Sequence, residues 1–245
     1  MAPMTPSPTI ASPASVTTAL SASQRLYVAL AVTFVACLIL GDVIGGKAVA
    51  TSLGPVSVGL IPFPVTFLLT DIVNDFYGRS GARFLTVLGF CMAVLAWLIL
   101  QVTTVMPIDK GSYFQQAEYA KIFGGSAQLF VASMVAYLVG QFLDIYVFQW
   151  WKALTQSRHL WVRATGSTVL SQLVDTAAIN VIFWKWTANQ SWGWIFAKIV
   201  REYGIKVVIA FALTPFVYAL HSLIVRGLGL QPEPASGSVS VRSSG

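Results

Sequence analysis

Long apolar runs, separated by short polar and charged clusters, dominate this chain of 245 residues. A bilayer hydrocarbon core is about 30 Å thick, so a helix that crosses it needs roughly 20 mostly apolar residues at about 1.5 Å each. Six runs reach this length: Leu26–Ile44, Gly59–Tyr77, Phe84–Met106, Ala127–Trp150, Ala164–Trp186 and Ile195–Val225. The pattern predicts an all-α, polytopic integral membrane protein with about six transmembrane helices in one bundle.

The two ends of the chain lack this apolar pattern. Residues 1–24 are rich in Pro, Ser, Thr and Ala, and residues 228–245 have a similar polar composition. Segments of this kind bury too little apolar surface to offset the entropy lost on folding. We therefore predict a disordered tail at each end of a single six-helix membrane domain, which would span residues 25–227.

Composition and charge agree with a membrane location. Charged residues make up 10% of the chain, whereas soluble domains carry about 25%. The net charge of +6 would allow nucleic-acid binding, but Lys and Arg lie at the ends of the apolar runs. With the N-terminus inside, the cytoplasmic side would hold Arg25, Arg79, Arg83, Lys152, Arg158, Arg163, Arg226 and Arg242. Because cytoplasmic loops collect such residues, we predict both termini in the cytoplasm, a lipid bilayer as partner and no nucleic acid.

Acidic residues within or beside the apolar runs are costly in a membrane. The six are Asp42, Asp71, Asp75, Asp144, Asp175 and Glu202. One charge at the centre of a membrane helix costs about 2.5–3.5 kcal/mol, so six that faced lipid would cost on the order of 15–20 kcal/mol. This cost exceeds the net stability of most proteins. The carboxylates are therefore predicted to face the bundle interior, a water-filled cavity or the lipid headgroups.

The spacing of the polar residues places them on shared helix faces. Two runs repeat a Gln-x-x-Asp pattern and the second run has a polar side, a set that comprises Phe67, Asp71, Asn74, Asp75, Gln141, Asp144, Gln172 and Asp175. Residues three or four apart lie on the same face of a helix. Counted from the start of each run, Asp71 and Asp175 lie near mid-membrane, and Asp144 lies closer to the cytoplasmic end. Because these depths are compatible, the three acidic helix faces are expected to line one polar cavity.

A purely structural role for these residues stays open at this point. Polar side chains in membrane helices also join neighbouring helices by hydrogen bonds. In that case Lys206 or Arg83 would neutralise a nearby Asp. Glu202 and Lys206 are four residues apart in the favourable order, which predicts a local salt bridge between them.

Nucleotide, metal and hydrolytic sites are not supported by the sequence. The segment 41–48 resembles a phosphate-binding loop, but Ala48 replaces its hydroxyl residue and an apolar helix, not a strand, precedes it. His159 and His221 have no His or Cys partner at the spacing of zinc ligands. An intramembrane hydrolase that used two Asp residues would show a catalytic motif, and none is recognisable. We expect no enzymatic activity, no cofactor and no metal.

Four groups of polar motifs occur together along the runs. They are Phe63-Pro64-x5-Thr70-Asp71-x2-Asn74-Asp75-x-Tyr77-Gly78 followed by Arg83, Ser133-x2-Ala136-Tyr137-x3-Gln141-x2-Asp144, Arg163-x3-Ser167-x4-Gln172-x2-Asp175-Thr176, and Tyr203-x2-Lys206 with Thr214-Pro215. Together these motifs resemble the signature of the queuosine precursor transporter family, also called the vitamin uptake transporter family. The chain departs from the family pattern at Asp75, where members usually have Glu, and at Asp42, where a neutral amide is common.

The resemblance implies an importer of 7-deazaguanine precursors of queuosine, such as preQ0 and preQ1, in the bacterial inner membrane. A guanine-like edge presents N1–H and N2–H2 side by side, and a carboxylate accepts both. A Gln amide offers both a donor and an acceptor. The implied principal contacts are Asp71, Asp144 and Asp175, with Gln141, Gln172 and Asn74 as orienting partners, Phe67 or Tyr137 as stacking rings, and Arg83, Lys206 and Asp75 for charge balance or gating.

An alternative within transport also fits the sequence. The chain would then be the substrate-binding membrane subunit of a vitamin uptake system that depends on a separate ATPase, since it has no nucleotide-binding motif of its own. The sequence does not choose between preQ0, preQ1 and queuine, and it leaves the driving force and a homo-oligomeric state open.

Overall fold

The computed structural model describes residues 19–51, 54–124, 127–156, 159–187 and 189–234. The predicted disordered tails lie mostly outside these residues. At the N-terminal side, the described chain enters its first helix at Ala22, because the Ser21 hydroxyl caps the helix by accepting from the backbone N–H of Gln24 at 3.2 Å.

Seven α-helices form most of the described chain. They are α1 Ala22–Ile44, α2 Phe63–Phe76, α3 Gly78–Val105, α4 Gln116–Phe123, α5 Ala127–Leu154, α6 Leu160–Ile179 and α7 Trp192–Leu228. A π-helical segment, Asn180–Thr187, prolongs α6. An antiparallel hairpin of β1 Ala48–Thr51 and β2 Gly54–Ser57 and a 3-10 turn, Val58–Leu60, connect α1 to α2.

Six helical segments of the described chain are long and apolar enough to cross a membrane. The prediction of an all-α, polytopic membrane protein with six spans is therefore confirmed. The hairpin and the short α4 are additions that the apolar pattern did not predict, because neither contains a run long enough to cross a bilayer.

The long helices alternate in direction, which gives the bundle two distinct ends. α1 begins and α7 finishes at one end, called here the termini end. There the Tyr77 hydroxyl, at the α2–α3 junction, donates to the Ser23 carbonyl at 2.7 Å, and the Tyr27 hydroxyl donates to the Gly81 carbonyl at 2.8 Å. The hairpin and α4 lie at the opposite end, called the far end.

Helix α2 lies inside the bundle. Most of its residues are buried, whereas buried residues are a minority in each of the other spans. Its 14 residues measure about 21 Å, which is shorter than the bilayer core, and the turn before it supplies part of the missing length. α2 packs against α1, α3, α5 and α7, so the acidic side chains that it carries are kept away from lipid.

A glycine permits the close packing of α1, α3 and α5. The Phe34 and Leu38 side chains of α1 are fully buried, and both lie against Gly89 of α3. A Cβ atom on Gly89 would lie 2.6 Å from Cε1 of Phe34 and 2.8 Å from the hydroxyl oxygen of Tyr137. Small residues allow membrane helices to approach each other in this way.

We predict that Gly89→Ala lowers the melting temperature of the purified protein in detergent, because the new methyl group overlaps the buried Phe34 ring. Overpacking of this kind costs about 1–3 kcal/mol. Gly204→Ala is the matched control, since no atom lies within 4 Å of the position its Cβ would take. Equal melting temperatures for the two variants would contradict the tight contact at Gly89.

Candidate functional site

Two buried carboxyl groups meet at the centre of the bundle. Asp71 of α2 and Asp144 of α5 lie within hydrogen-bonding reach of each other, and their exposed fractions are 3% and 0%. The Ser171 hydroxyl donates to Asp144 Oδ1 at 3.0 Å. Within the described part of the chain, no N–H or hydroxyl group makes a hydrogen bond of good geometry to Asp71 Oδ1 or Asp144 Oδ2, although the Ser167 and Thr168 hydroxyls also lie near Asp144. Two ionised carboxylates in contact repel, so a donor placed between them would be held strongly.

Gln141 is a third buried polar residue beside Asp71 and Asp144. It lies one turn before Asp144 on α5 and is fully buried. Neither its amide nitrogen nor its amide oxygen has a hydrogen-bond partner among the described residues. Buried polar side chains are almost always hydrogen-bonded in folded proteins, so Gln141 is suited to a ligand with both a donor and an acceptor.

A narrow cleft runs beside these residues, between α2, α6 and α7. Phe67, Asp71, Gln172 and Lys206 line it, together with the Thr168 side chain. Its free volume is about 30 Å³, whereas a cavity that holds a benzene ring measures about 150 Å³. The cleft therefore brings four of the predicted site residues together, in a conformation too closed to admit a heterocyclic base.

Lys206 reaches across to α6. Its Nζ lies 2.7 Å from Asp175 Oδ2, which balances that charge within the membrane region. The predicted salt bridge between Glu202 and Lys206 is wrong. Glu202 instead pairs with Lys198, one turn earlier on α7, and accepts a hydrogen bond from the Asn180 amide at 2.8 Å. The sequence spacing allowed both pairs, and the tertiary position of Asp175 decides between them.

Asp75 binds three basic side chains from three different helices. Lys152 Nζ of α5 lies 2.7 Å from Asp75 Oδ1, while Arg163 Nη2 of α6 and His221 Nε2 of α7 lie 2.8 Å and 3.3 Å from Oδ2. Asp75, Lys152 and Arg163 are all almost completely buried. These four residues are called the Asp75 cluster, and they tie four helices together at the termini end.

The segment that follows α7 folds back onto this cluster. The Glu233 backbone N–H donates to the Asp75 carbonyl at 2.8 Å. The Glu233 carboxylate lies so close to Gly78 that a Cβ there would be 1.9 Å from its Oε2. Gly78 also has a φ of +66°, which favours glycine. The α2–α3 junction is thus shaped to receive the chain after α7.

Asn74 makes contacts between helices. Its amide nitrogen donates to the Ile145 carbonyl at 3.1 Å, and its oxygen accepts from Gln149 Nε2 at 2.6 Å. Both polar groups of Asn74 are therefore used by α5 in this conformation. Its predicted part in ligand binding stays a prediction that would require these bonds to open.

Tyr137 and Arg83 lie apart from the cleft. The Tyr137 hydroxyl donates to the Thr86 carbonyl of α3 at 3.0 Å. The Arg83 guanidinium donates to the Tyr146 hydroxyl and lies 4.9 Å from the centre of that ring. The ion pairs among the described residues do not include Arg83. In this conformation, neither residue has the stacking or charge-balancing contacts expected from the sequence.

Sequence reasoning missed the partners of Asp75. The sequence pattern places Lys152 and Arg163 at the basic cytoplasmic ends of their runs and gives His221 no metal-ligand partner, but it does not show that all three contact Asp75. A signal was present, because these three residues and Asp75 all fall at the same end of an alternating set of helices. A carboxylate placed at that depth needs a cation from a neighbouring span.

Comparisons with known proteins agree with this architecture. The family model described as "Putative vitamin uptake transporter" matches residues 57–220. The "Probable queuosine precursor transporter" of Bacillus subtilis (strain 168) is 29% identical over 170 residues, which cover 69% of this chain and 72% of the relative. The "Queuosine precursor transporter" of Escherichia coli (strain K12) is 32% identical over 174 residues, or 69% and 74% of the two chains. No solved structure matches significantly.

The match extends over the part of the chain that holds the site. Residues 57–220 include α2, the Gln-x-x-Asp motifs of α5 and α6, and Lys206 of α7. The relatives are named as transporters, and the six apolar spans fit that activity. The chain therefore belongs to the vitamin uptake transporter family that contains the queuosine precursor transporters, and it is a multi-pass membrane transporter, not an enzyme.

Proposed function

We propose that this transporter imports queuosine precursors, 7-deazaguanine bases such as preQ0 and preQ1, across the bacterial inner membrane. The names of the two relatives support this class of substrate. Both termini would lie in the cytoplasm, as the distribution of Lys and Arg favours. The termini end of the bundle would then face the cytoplasm and the far end the outside.

One observation carries the proposal: buried polar atoms that accept or donate no good hydrogen bond with an N–H, hydroxyl or carbonyl group of the described residues gather on neighbouring turns at the centre of the helices. They are Asp71 Oδ1, Asp144 Oδ2 and both polar atoms of the Gln141 amide. Each such group costs about 1–3 kcal/mol when it is left unsatisfied. Residues that served only to join helices would be paired, as Asn74 is. A bound polar ligand would satisfy the whole set.

The base offers the matching groups. Its N1–H and N2–H2 would donate to the carboxyl groups of Asp71 and Asp144, replacing the contact between these two groups with charge-assisted hydrogen bonds. Its O6, which lies beside N1–H, would accept from the Gln141 amide nitrogen. An edge with two donors beside an acceptor is complementary to two carboxylates beside an amide.

The cleft supplies the remaining contacts. Phe67 would stack on the flat ring, and Gln172 would hydrogen-bond a second edge, since both line the cleft beside Asp71. Lys206 Nζ pairs with Asp175 Oδ2 at 2.7 Å. The cationic aminomethyl group of preQ1 would compete with Lys206 for that carboxylate. Because the free volume is about 30 Å³, α6 or α7 must move away from α2 before a base can enter.

The Asp75 cluster would act as the cytoplasmic seal. It joins α2, α5, α6 and α7 at the termini end through buried charges, and Glu233 closes over it. Release of the base into the cytoplasm requires these helices to separate there. Asp75 is one turn from Asp71 on the same helix, so a shift of α2 that follows binding would pull directly on the seal.

We predict that Asp144→Asn lowers uptake of labelled preQ1 into liposomes that contain the purified chain alone. A hydrogen bond to a charged group is worth about 1.5–3 kcal/mol, so the loss should be roughly tenfold to a hundredfold at subsaturating base. Asp109→Asn, in an exposed turn at the far end, should transport normally.

Two results would count against this scheme. Undiminished uptake by Asp144→Asn at normal protein level would reject the role of Asp144. Uptake in cells but not in liposomes of the wild-type chain alone would favour the alternative in which a separate ATPase drives transport.

We predict opposite effects on stability and transport for Gln141→Leu. The substitution removes two buried, unpaired polar atoms, so the melting temperature in detergent should rise, by an amount equivalent to about 1–3 kcal/mol. Uptake of preQ1 should fall, because the base loses its amide partner. If Gln141 were only a link between helices, the variant would lose stability, and that outcome would sink its assignment to the binding site.

We predict that Asp75→Asn loosens the termini end. The variant leaves Lys152 and Arg163 buried without their counter-charge, which costs about 3–5 kcal/mol for a broken buried pair. Amide hydrogen exchange at the C-terminal turn of α2 should become faster. Adding Lys152→Met removes one of the stranded cations and should restore part of the protection. Unchanged exchange in Asp75→Asn would show that the cluster does not hold this end closed.

A further inference from the structure

A second and larger cavity lies near the far end of the bundle, between α1, α3, α4 and α5. Its free volume is about 230 Å³, whereas an enclosed apolar cavity of about 150 Å³ is enough for a benzene ring. Gly45 and Gly46, which lead into the hairpin, form part of its wall. It has room for a fused two-ring heterocycle, which the closed cleft beside Asp71 does not.

Three buried polar atoms in the lining of this cavity have no hydrogen-bond partner among the described residues. They are Asp42 Oδ2 on α1 and, four residues apart on α3, the indole nitrogen of Trp97 and the amide nitrogen of Gln101. The Ser133 hydroxyl of α5 donates to the other Asp42 oxygen at 3.3 Å. One acidic acceptor and two neutral donors in the lining residues are thus available to an occupant once these side chains turn towards the cavity.

Flat aromatic rings form part of the same wall. The Trp97 indole and the Phe130 ring are stacked, with centres 4.9 Å apart and planes inclined by only 8°. Both residues line the cavity. A stacked pair of this kind presents an aromatic surface on which a further flat ring can pack, and an indole face also attracts a cation.

Phe63 separates this cavity from the central cleft. Its side chain is part of the lining of both spaces. It packs against α1 at Gly41, where a Cβ would lie 3.2 Å from the Phe63 ring. An occupant of the cavity is therefore one aromatic side chain away from the cleft that Asp71 and Gln172 line.

We infer that this cavity is an outer docking site, in which a flat nitrogen heterocycle with a cationic substituent binds before it passes Phe63 to the central carboxylates. The inference rests on the proposed function and on the far end facing outward. Asp42 would pair with the cation, the amide of Gln101 would donate to a ring oxygen or nitrogen, and the stacked Trp97–Phe130 pair would support the ring. A lipid acyl chain, the other candidate occupant, would leave all three polar atoms unsatisfied.

The test compares two substrates that differ in charge. The two substrates are preQ1, whose 7-aminomethyl group is cationic, and preQ0, whose 7-cyano group is neutral. Initial uptake rates of both are measured for wild type, Asp42→Asn and the exposed control Asp109→Asn. Asp42→Asn should raise KM for the cationic base by about tenfold or more, since one charge-assisted contact is lost. Its KM for the neutral base and the maximal rates should change by less than about twofold, because the central site is intact.

A second variant protects the test against a folding defect at Asp42. Gln101→Leu removes a donor that has no partner in the protein, so the fold should tolerate it. It should raise KM for both bases, because its contact is with the ring and not with the cationic group. Protein level in the membrane is measured for every variant.

The outcomes separate the docking site from the proposed function. Normal wild-type uptake, together with unaltered KM values in Asp42→Asn and Gln101→Leu, would overturn the docking site alone and point to a lipid-filled cavity. An equal rise in KM for both bases in Asp42→Asn would also overturn the charge-selective role. If wild type transports neither base, the proposed function fails and the docking site with it.

Discussion

The structure depends on one constraint, which is that a polar group inside a membrane bundle needs a partner, because neither lipid nor a packed core supplies one. The protein meets this constraint unevenly. At the termini end, Asp75 is satisfied by three basic side chains and Asn74 by two groups on α5. Towards the centre and the far end, α1, α2, α3 and α5 carry carboxyl and amide atoms that make no good hydrogen bond with an N–H, hydroxyl or carbonyl group of the described residues.

This contrast assigns different roles to residues that look alike in the sequence. Asp71 and Asp75 are one turn apart on α2 and equally hidden from solvent. Asp75 pairs with three basic side chains in a network that is costly to break, whereas Asp71 lies against the carboxyl group of Asp144 and has no ion pair among the described residues. Under the proposed function, Asp75 is a structural carboxylate and Asp71 a recognition carboxylate, a difference that burial alone does not reveal. The number of partners that each one has does so.

The sequence predicted the spans well, and the binding roles that it gives to the site residues stay predictions. Apolar run length is set by bilayer thickness, so the six spans could be read from the chain alone. Helical spacing also placed Asp71 and Asp144 on inward faces, and these two do meet. The predicted Glu202–Lys206 salt bridge was wrong because spacing along one helix cannot show that Asp175 on another helix lies closer.

The missed features share a physical reason. The Asp75 cluster joins residues from four helices, and the outer cavity joins Asp42, Trp97, Gln101 and Phe130 from three. Such convergence is fixed by how helices rotate and cross, which local spacing does not determine. Trp97 and Gln101 also lie in a run that reads as an ordinary apolar span, where one Trp near its end is normal.

The positions of the paired and unpaired polar groups also bear on how the base would move through the bundle. Asp42, Phe63, Asp71 and Asp75 follow one another from the far end to the termini end, and the last three lie on the short helix α2. α2 exposes little surface to lipid, so it can shift without dragging a large lipid contact. Under the proposed function, a base that hydrogen-bonds to Asp71 would release binding free energy at α2. The Asp75 cluster, on the same helix, would oppose any shift of α2. The binding energy available at the unpaired atoms is thus set against the charges that close the opposite end.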